Sequence, residues 1–132
     1  MQVLTYYSVV IPNKPGEANK VLDALKNAGV NLIALWAYPI KGKNSVMDIA
    51  AADPKACAKA LKSIGLAAGA KKQAFHFDGE DRPGAVAETV GKLAAAGINC
   101  HAAQGICAGS GRYGLLVQVA DEDFKKAKKV LA

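Results

Sequence analysis

Residues 13–31 read NKPGEANKVLDALKNAGVN, and residues 81–99 read DRPGAVAETVGKLAAAGIN. A shift of 68 positions, from residue 13 to residue 81, superimposes the two stretches. The same shift places Ala52-Asp53 on Ala120-Asp121. Three motifs repeat at this one offset, namely a Pro-Gly turn, an Ala-Gly turn and an Ala-Asp pair. Their common offset indicates two copies of one supersecondary unit.

The first copy carries the signals of three strands and two helices. Residues 3–11, 30–38 and 45–51 have the apolar pattern of strands, and residues 30–38 are apolar on both faces, so we expect both faces to be covered. After the Pro-Gly turn, apolar residues recur at helical spacing, and Gly29 suits the residue past a helix end. Asp53-Pro54 is typical of a helix cap followed by a first-turn proline.

The second copy repeats this order, with strands predicted at residues 72–78, 98–106 and 113–119 and a last helix from Asp121. The order β-α-β-β-α, found twice with short connections, predicts an α+β, ferredoxin-like architecture in which helices lie on one face of antiparallel sheets. A complete unit would need a fourth strand. We therefore expect a first module at residues 1–70, a second at residues 71–132, and a strand at residues 70–78 that serves both.

Composition limits the class of protein. The chain has 132 residues, 52% of them hydrophobic, which is enough for a buried core. No apolar run is long enough to span a bilayer, and the first residues lack the features of a signal peptide. Three cysteines cannot all pair within one chain, so we expect reduced thiols and a cytoplasmic protein. The net charge of +6 comes from dispersed lysines, so we expect no nucleic-acid or membrane partner.

The two turns are the candidate functional features. A helix N-terminus presents unpaired N–H groups and a partial positive charge, and both attract carboxylates. Gly16 and Gly84 would let a ligand approach the backbone, and Asn13 and Asp81 could cap the helix or bind a ligand's amine. We also expect Asn31 and Asn99 near the same end of the sheet. The alternative is ordinary helix capping without a ligand.

Other motifs give no support for catalysis or a cofactor. Residues 109–114 spell G-x-G-x-x-G, but an alternating strand follows instead of a helix, so we expect a hairpin loop. Cys100, His101 and Cys107 lack the four-ligand spacing of structural zinc. No Ser/His/Asp or Cys/His set and no carboxylate pair in an apolar setting is present. We therefore expect no enzyme activity, no metal and no cofactor.

The pattern of strand, N-x-P-G, helix, A-G-V-N and strand resembles the ACT domain, a small-molecule-sensing module of β-α-β-β-α-β topology. The resemblance covers nearly the whole chain as a tandem pair. It implies that an amino acid binds at an interface between modules, with the Pro-Gly loop holding its carboxylate and amine and the A-G-V-N strand completing the pocket.

The resemblance implies a definite set of ligand-binding positions, namely Ile11, Asn13, Gly16, Asn31, Gly79, Asp81, Gly84 and Asn99. Ile11 and Gly79 depart from the family pattern, because some members have a side chain there that hydrogen-bonds the ligand, which isoleucine and glycine cannot do. Family modules are usually attached to an enzyme or a DNA-binding domain, and this chain has no room for one. We therefore expect an amino-acid-binding regulatory protein, a homodimer, that acts on a protein partner such as an enzyme or a transcription regulator. The alternative is a protein-interaction module with no ligand.

Overall fold

The computed structural model describes residues 1–132 and contains six strands and four α-helices. In chain order they are β1 (Gln2–Pro12), α1 (Glu17–Asn27), β2 (Leu32–Pro39), β3 (Asn44–Ala51), α2 (Pro54–Ser63), β4 (Lys72–Glu80), α3 (Ala85–Ala95), β5 (Cys100–Cys107), β6 (Arg112–Val119) and α4 (Phe124–Leu131). A 3₁₀ turn at Asp121–Asp123 precedes α4. The predicted order β-α-β-β-α, twice in tandem, and the α+β fold class are confirmed.

The chain divides into two compact units, each of which has its own set of antiparallel strands and its own core. Residues 5–72 form one unit, called the first module below, and residues 1–4 with residues 73–132 form the other, called the second module. In the first module β3 pairs antiparallel with both β1 and β2, and in the second β6 pairs antiparallel with both β4 and β5. The use of residues 70–78 by both modules stays a prediction.

The two sheets have the same register at the offset of the sequence repeat. Tyr7 pairs with Ile49 in the first module, and Phe75 pairs with Val117 in the second. Each edge strand also shifts register at the same place, between Leu32 and Ala34 in β2 and between Cys100 and Ala102 in β5. The repeat therefore specifies strand pairing as well as strand order.

The helices of each module cover one face of its sheet. In the first module the buried side chains come from β1, α1, β3 and α2, and they include Val9, Val21, Leu25, Ile49 and Leu61. In the second they include Phe75, Leu93, Leu115, Val117 and Leu131. Phe75 also stacks on Phe124, with 4.6 Å between the ring centroids. None of the helices is long and apolar enough to cross a membrane.

Within one copy of the chain one face of β2 is open, because Ile33 is 47% exposed and Leu35 is 41% exposed. The expected cover of this face, by the other sheet or by a second chain, stays a prediction. The sequence interpretation was wrong at the last helix, where the repeat fails. Asp53 caps α2 by accepting hydrogen bonds from the N–H groups of Lys55 and Ala56, each at 3.1 Å, whereas the equivalent Asp121 lies in the 3₁₀ turn and caps nothing.

Candidate functional site

The Pro-Gly sequence forms the same backbone turn in both modules. Gly16 has φ 88° and ψ −17°, and Gly84 has φ 86° and ψ −4°. The N–H of Glu17 donates to the carbonyl of Lys14, and the N–H of Ala85 donates to the carbonyl of Arg82, each at 3.3 Å. These are the features of a type II turn, in which proline fixes the second position and glycine takes the positive φ of the third. The turn geometry thus accounts for the Pro-Gly pair before any ligand is considered.

Both helices begin without a side-chain cap. Gly16 and Gly84 are the N-cap residues of α1 and α3, and neither helix has a side-chain hydrogen bond at its start. Of the two alternatives for Asn13 and Asp81, helix capping is therefore not observed, and ligand binding stays a prediction. Because the first N–H groups of a helix have no partner within it, these uncapped ends can donate hydrogen bonds to a carboxylate.

A cleft opens beside each turn, and the two clefts occupy equivalent positions. The first measures about 240 Å³ and the second about 390 Å³. Seven lining positions correspond at the offset of 68, and these are Asn13, Lys14, Ala18, Ala37, Tyr38, Pro39 and Ser45 in the first cleft, and Asp81, Arg82, Val86, Gly105, Ile106, Cys107 and Tyr113 in the second. Each cleft lies between the start of a helix, the end of an edge strand and the start of the next strand.

The first cleft has two free polar side chains, at Asn13 and Lys14, and a tyrosine, Tyr38, whose pKa is raised by burial and by the neighbouring Asp48 carboxylate. The backbone N–H of Asn13 donates to the carbonyl of Lys43 at 2.8 Å, which fixes the turn against the hairpin. The side chains of Asn13 and Lys14 form no hydrogen bond and no ion pair. The cleft therefore offers a neutral amide and one unpaired ammonium next to the start of α1.

The polar groups of the second cleft differ in charge and in partners. Asp81 anchors the turn through its backbone N–H, which donates to the carbonyl of Gly111 at 2.8 Å. Its carboxylate accepts a hydrogen bond from the Cys107 thiol, and this bond, followed by burial and by the negative charge, raises the pKa of Cys107. Arg82 is bound to Glu88 by two hydrogen bonds, of 2.8 and 2.7 Å, which lower the pKa of Glu88. Asp81 itself forms no ion pair.

Ile11 and Gly79 occupy equivalent strand positions and have different cross-strand partners. Ile11 pairs with Ser45 and is buried in the core of its module. Gly79 pairs with Tyr113, and a Cβ added to Gly79 would lie 2.9 Å from Cε1 of the Tyr113 ring. The tyrosine ring thus occupies the space that a side chain at residue 79 would fill. Any polar group at this corner of the second cleft comes from Tyr113.

Asn31 and Asn99 lie at the far end of their sheets from the turns, so the expectation that they share one end was wrong. Asn31 accepts a hydrogen bond from the N–H of Ala52, just past the last residue of β3, whereas Asn13 bonds to Lys43, just before its first residue. Eight residues of strand separate these points by roughly 25 Å. Asn31 instead borders a separate cleft of about 490 Å³ at the C-terminal end of α1.

The sequence interpretation missed four lining residues as ligand contacts, namely Ser45, Gly105, Cys107 and Tyr113. Each lies on a strand next to a turn motif, outside the stretches that were compared. The signal was present, because the offset that superimposes the Pro-Gly turns also places Ser45 on Tyr113 and Ala37 on Gly105. The sequence repeat therefore extends into the strand ends that line both clefts.

A doubled βαββα unit with a Pro-Gly turn at the start of each first helix defines a tandem pair of regulatory ACT modules. The chain matches the family described as ACT domain pair over residues 1–132, and it belongs to that family. The predicted tandem ACT architecture is thus confirmed. No curated protein is a significant match to the chain.

Solved structures share this fold at low sequence identity. Protein BT0572 from Bacteroides thetaiotaomicron is 24% identical with a TM-score of 0.84, and the match covers 98% of this chain and 86% of that one. The ligand-free regulatory subunit of aspartate kinase from Thermus thermophilus is 16% identical with a TM-score of 0.65, covering 98% and 89%. The same subunit from Thermus flavus is 16% identical with a TM-score of 0.60, covering 98% and 93%.

Proposed function

We propose that this ACT domain pair is a regulatory protein that binds a free amino acid in the clefts beside its Pro-Gly turns and signals the bound state to a protein partner. The observation that carries the proposal is the repetition of one cleft at equivalent positions, each beside an uncapped helix start. An uncapped start supplies donors for a carboxylate, and a neighbouring Asn or Asp supplies an acceptor for an ammonium. Together these groups are complementary to a zwitterion.

The eight positions implied by the family resemblance divide into two groups under this proposal. Asn13, Gly16, Asp81 and Gly84 form the turns that would bind the ligand, with Ile11 and Gly79 at the adjoining strand ends. Asn31 and Asn99 lie too far from the turns of their own modules to contact the same ligand. They would contribute to a turn site only when supplied by a second copy of the chain, which fits a homodimer in which the ligand lies at the interface.

The titratable groups that line the clefts are consistent with a regulatory role that involves no catalytic step. The one cleft thiol, Cys107, lies beside the Asp81 carboxylate, but its pKa is raised, which makes it a poorer nucleophile at neutral pH. The chain would therefore act on another protein, an enzyme or a transcription regulator, in a cytoplasmic setting. Two of the similar structures are regulatory subunits of aspartate kinase, which is consistent with an enzyme as the partner.

Isothermal titration calorimetry of the chain against each of the twenty amino acids at millimolar concentration tests the proposal. We expect heat of binding from at least one of them. We also expect a double substitution of Gly16 and Gly84 by Val to abolish the heat, because a branched side chain at positive φ would distort both turns. A protein-interaction module without a ligand would give no heat with any amino acid, and that result would refute the proposal.

The homodimer is tested separately by light scattering with and without the amino acid that binds. If Asn31 and Asn99 reach the turns from a second copy, then replacing both by Ala should weaken binding and lower the dimer fraction that the ligand induces. Unchanged binding in this variant would place the ligand wholly within one module.

A further inference from the structure

The two clefts share a position in the repeat but differ in the groups that line them. The amide of Asn13 in the first cleft corresponds to the carboxylate of Asp81 in the second. Ala18 at the start of α1 corresponds to Val86 at the start of α3. Equivalent backbone positions with different side chains are expected to bind different ligands, because the backbone donors are common to both and only the side chains discriminate.

The charge of the second cleft favours a cation at Asp81. Arg82 is its neighbour in sequence, but both of its hydrogen bonds go to Glu88, so the guanidinium does not neutralise Asp81. The Cys107 thiol occupies one acceptor site of the carboxylate. A carboxylate offers about four such sites, which leaves room for an ammonium group.

The walls of the second cleft favour an apolar side chain. Val86 is 39% exposed at the start of α3, although it is a large hydrophobic residue. It faces Gly105 on β5, where an added Cβ would lie 3.6 Å from Cγ2 of Val86, at ordinary contact distance. The first cleft has Ala37 in place of Gly105 and is smaller, at about 240 against 390 Å³. The second cleft therefore combines an exposed valine with space beside it.

We propose that the second cleft is selective for an α-amino acid with a branched aliphatic side chain, whose ammonium binds Asp81 and whose side chain packs on Val86 over Gly105. This inference rests on the proposed function, because it assigns a ligand class to one of the two clefts. Asp81 determines the recognition of the amine, and Gly105 with Val86 determines the size of the side chain that is accepted.

Calorimetry with L-leucine and L-alanine tests the assignment on four variants of the full chain. Asp81→Asn should weaken both ligands by a similar factor of about ten, because a charge-assisted hydrogen bond to the ammonium is lost. Gly105→Ala should weaken leucine by about tenfold with little effect on alanine, because the added methyl group takes the space of the longer side chain. Asn13→Ala and Ala37→Gly change the equivalent positions of the first cleft, so they report on binding there and should not alter the affinity of the leucine bound in the second cleft. Circular dichroism verifies that each variant is folded.

The outcomes separate this inference from the proposed function. If leucine binds and the second-cleft variants weaken it as described, both stand. If leucine or another amino acid binds but is weakened by Asn13→Ala and not by Asp81→Asn, the assignment to the second cleft is refuted and the regulatory function survives. If Gly105→Ala weakens leucine and alanine equally, the size selection is refuted. If no amino acid binds, both proposals are refuted.

Discussion

Replacing Gly84 by Ala should destabilise the second module, whereas the same replacement at Gly91 should stabilise it. Gly84 starts α3 with φ 86°, which L-residues with a Cβ rarely adopt, and an added Cβ would meet no atom within 4 Å. Gly91 lies in the exposed interior of the same helix at an ordinary φ and has equally open surroundings. The two changes therefore differ only in backbone conformation, with no difference in packing.

The two effects can be estimated separately. A left-handed backbone costs an alanine about 1–2 kcal/mol, and the reduced entropy of the unfolded chain offsets about 0.4–1 kcal/mol of that cost. Gly84→Ala should therefore lower the free energy of unfolding by about 1 kcal/mol. Alanine in a helix interior is favoured over glycine by about 0.8–1 kcal/mol, so Gly91→Ala should raise the free energy of unfolding by about that amount.

Urea denaturation monitored by circular dichroism measures both changes against the unmodified chain. The two variants should differ from each other by about 2 kcal/mol, with Gly84→Ala below the parent and Gly91→Ala above it. Gly16→Ala in the first module should resemble Gly84→Ala, because its φ of 88° is nearly the same. Equal stabilities for the Gly84 and Gly91 variants would refute the assignment of the Pro-Gly pair to a turn that requires positive φ.

Three further predictions follow from single contacts. Asp53→Ala should lower the free energy of unfolding by about 1 kcal/mol, because the Asp53 carboxylate caps α2. The equivalent change, Asp121→Ala, should cost close to nothing, because Asp121 caps no helix. Calorimetric melting of both variants compares them directly. Asp81→Asn should lower the pKa of Cys107, because it removes the carboxylate whose hydrogen bond and negative charge hold the thiol protonated. The pH profile of iodoacetamide alkylation should move to lower pH, and an unmoved profile would contradict the contact. Leu61→Ala should cost about 2–5 kcal/mol in urea denaturation, because Leu61 is fully buried in the first core and a cavity would remain.

The repeat in the sequence was sufficient to predict the fold, because its signals are local. Alternation, helical spacing and the Pro-Gly turn each depend on a few neighbouring residues, and they located every strand and helix. The failure at Asp121 also has a local cause. Cys57 and Leu61 are buried in α2, whereas their equivalents at the offset of 68, Lys125 and Lys129, are exposed in α4. The last helix therefore has a different register, and an Asp at the repeated position no longer lies at a helix start.

The candidate site was harder to predict, because it depends on which ends of the elements meet. β1 and β2 run in the same direction with α1 between them, so a residue that ends β1 and a residue that starts β2 lie at opposite ends of the sheet. This is why Asn13 and Asn31 are separated. The groups that do meet Asn13 and Asp81 come from the ends of β2 and β5 and the starts of β3 and β6. Only the strand register brings these segments together.

The positions of the clefts within the repeat explain how two copies of one module can keep a fold and change a ligand. Core positions retain their character at the offset of 68, as in Leu25 and Leu93, or Ile49 and Val117, all of which are buried. Cleft positions lie in the turns and at strand ends, where a side chain contributes little to the core and a substitution such as Asn to Asp costs little stability. The backbone donors at the helix start come from the turn itself, so they persist whatever side chains surround them. If the clefts bind amino acids as proposed, their divergence would alter which amino acid is recognised without altering where it binds.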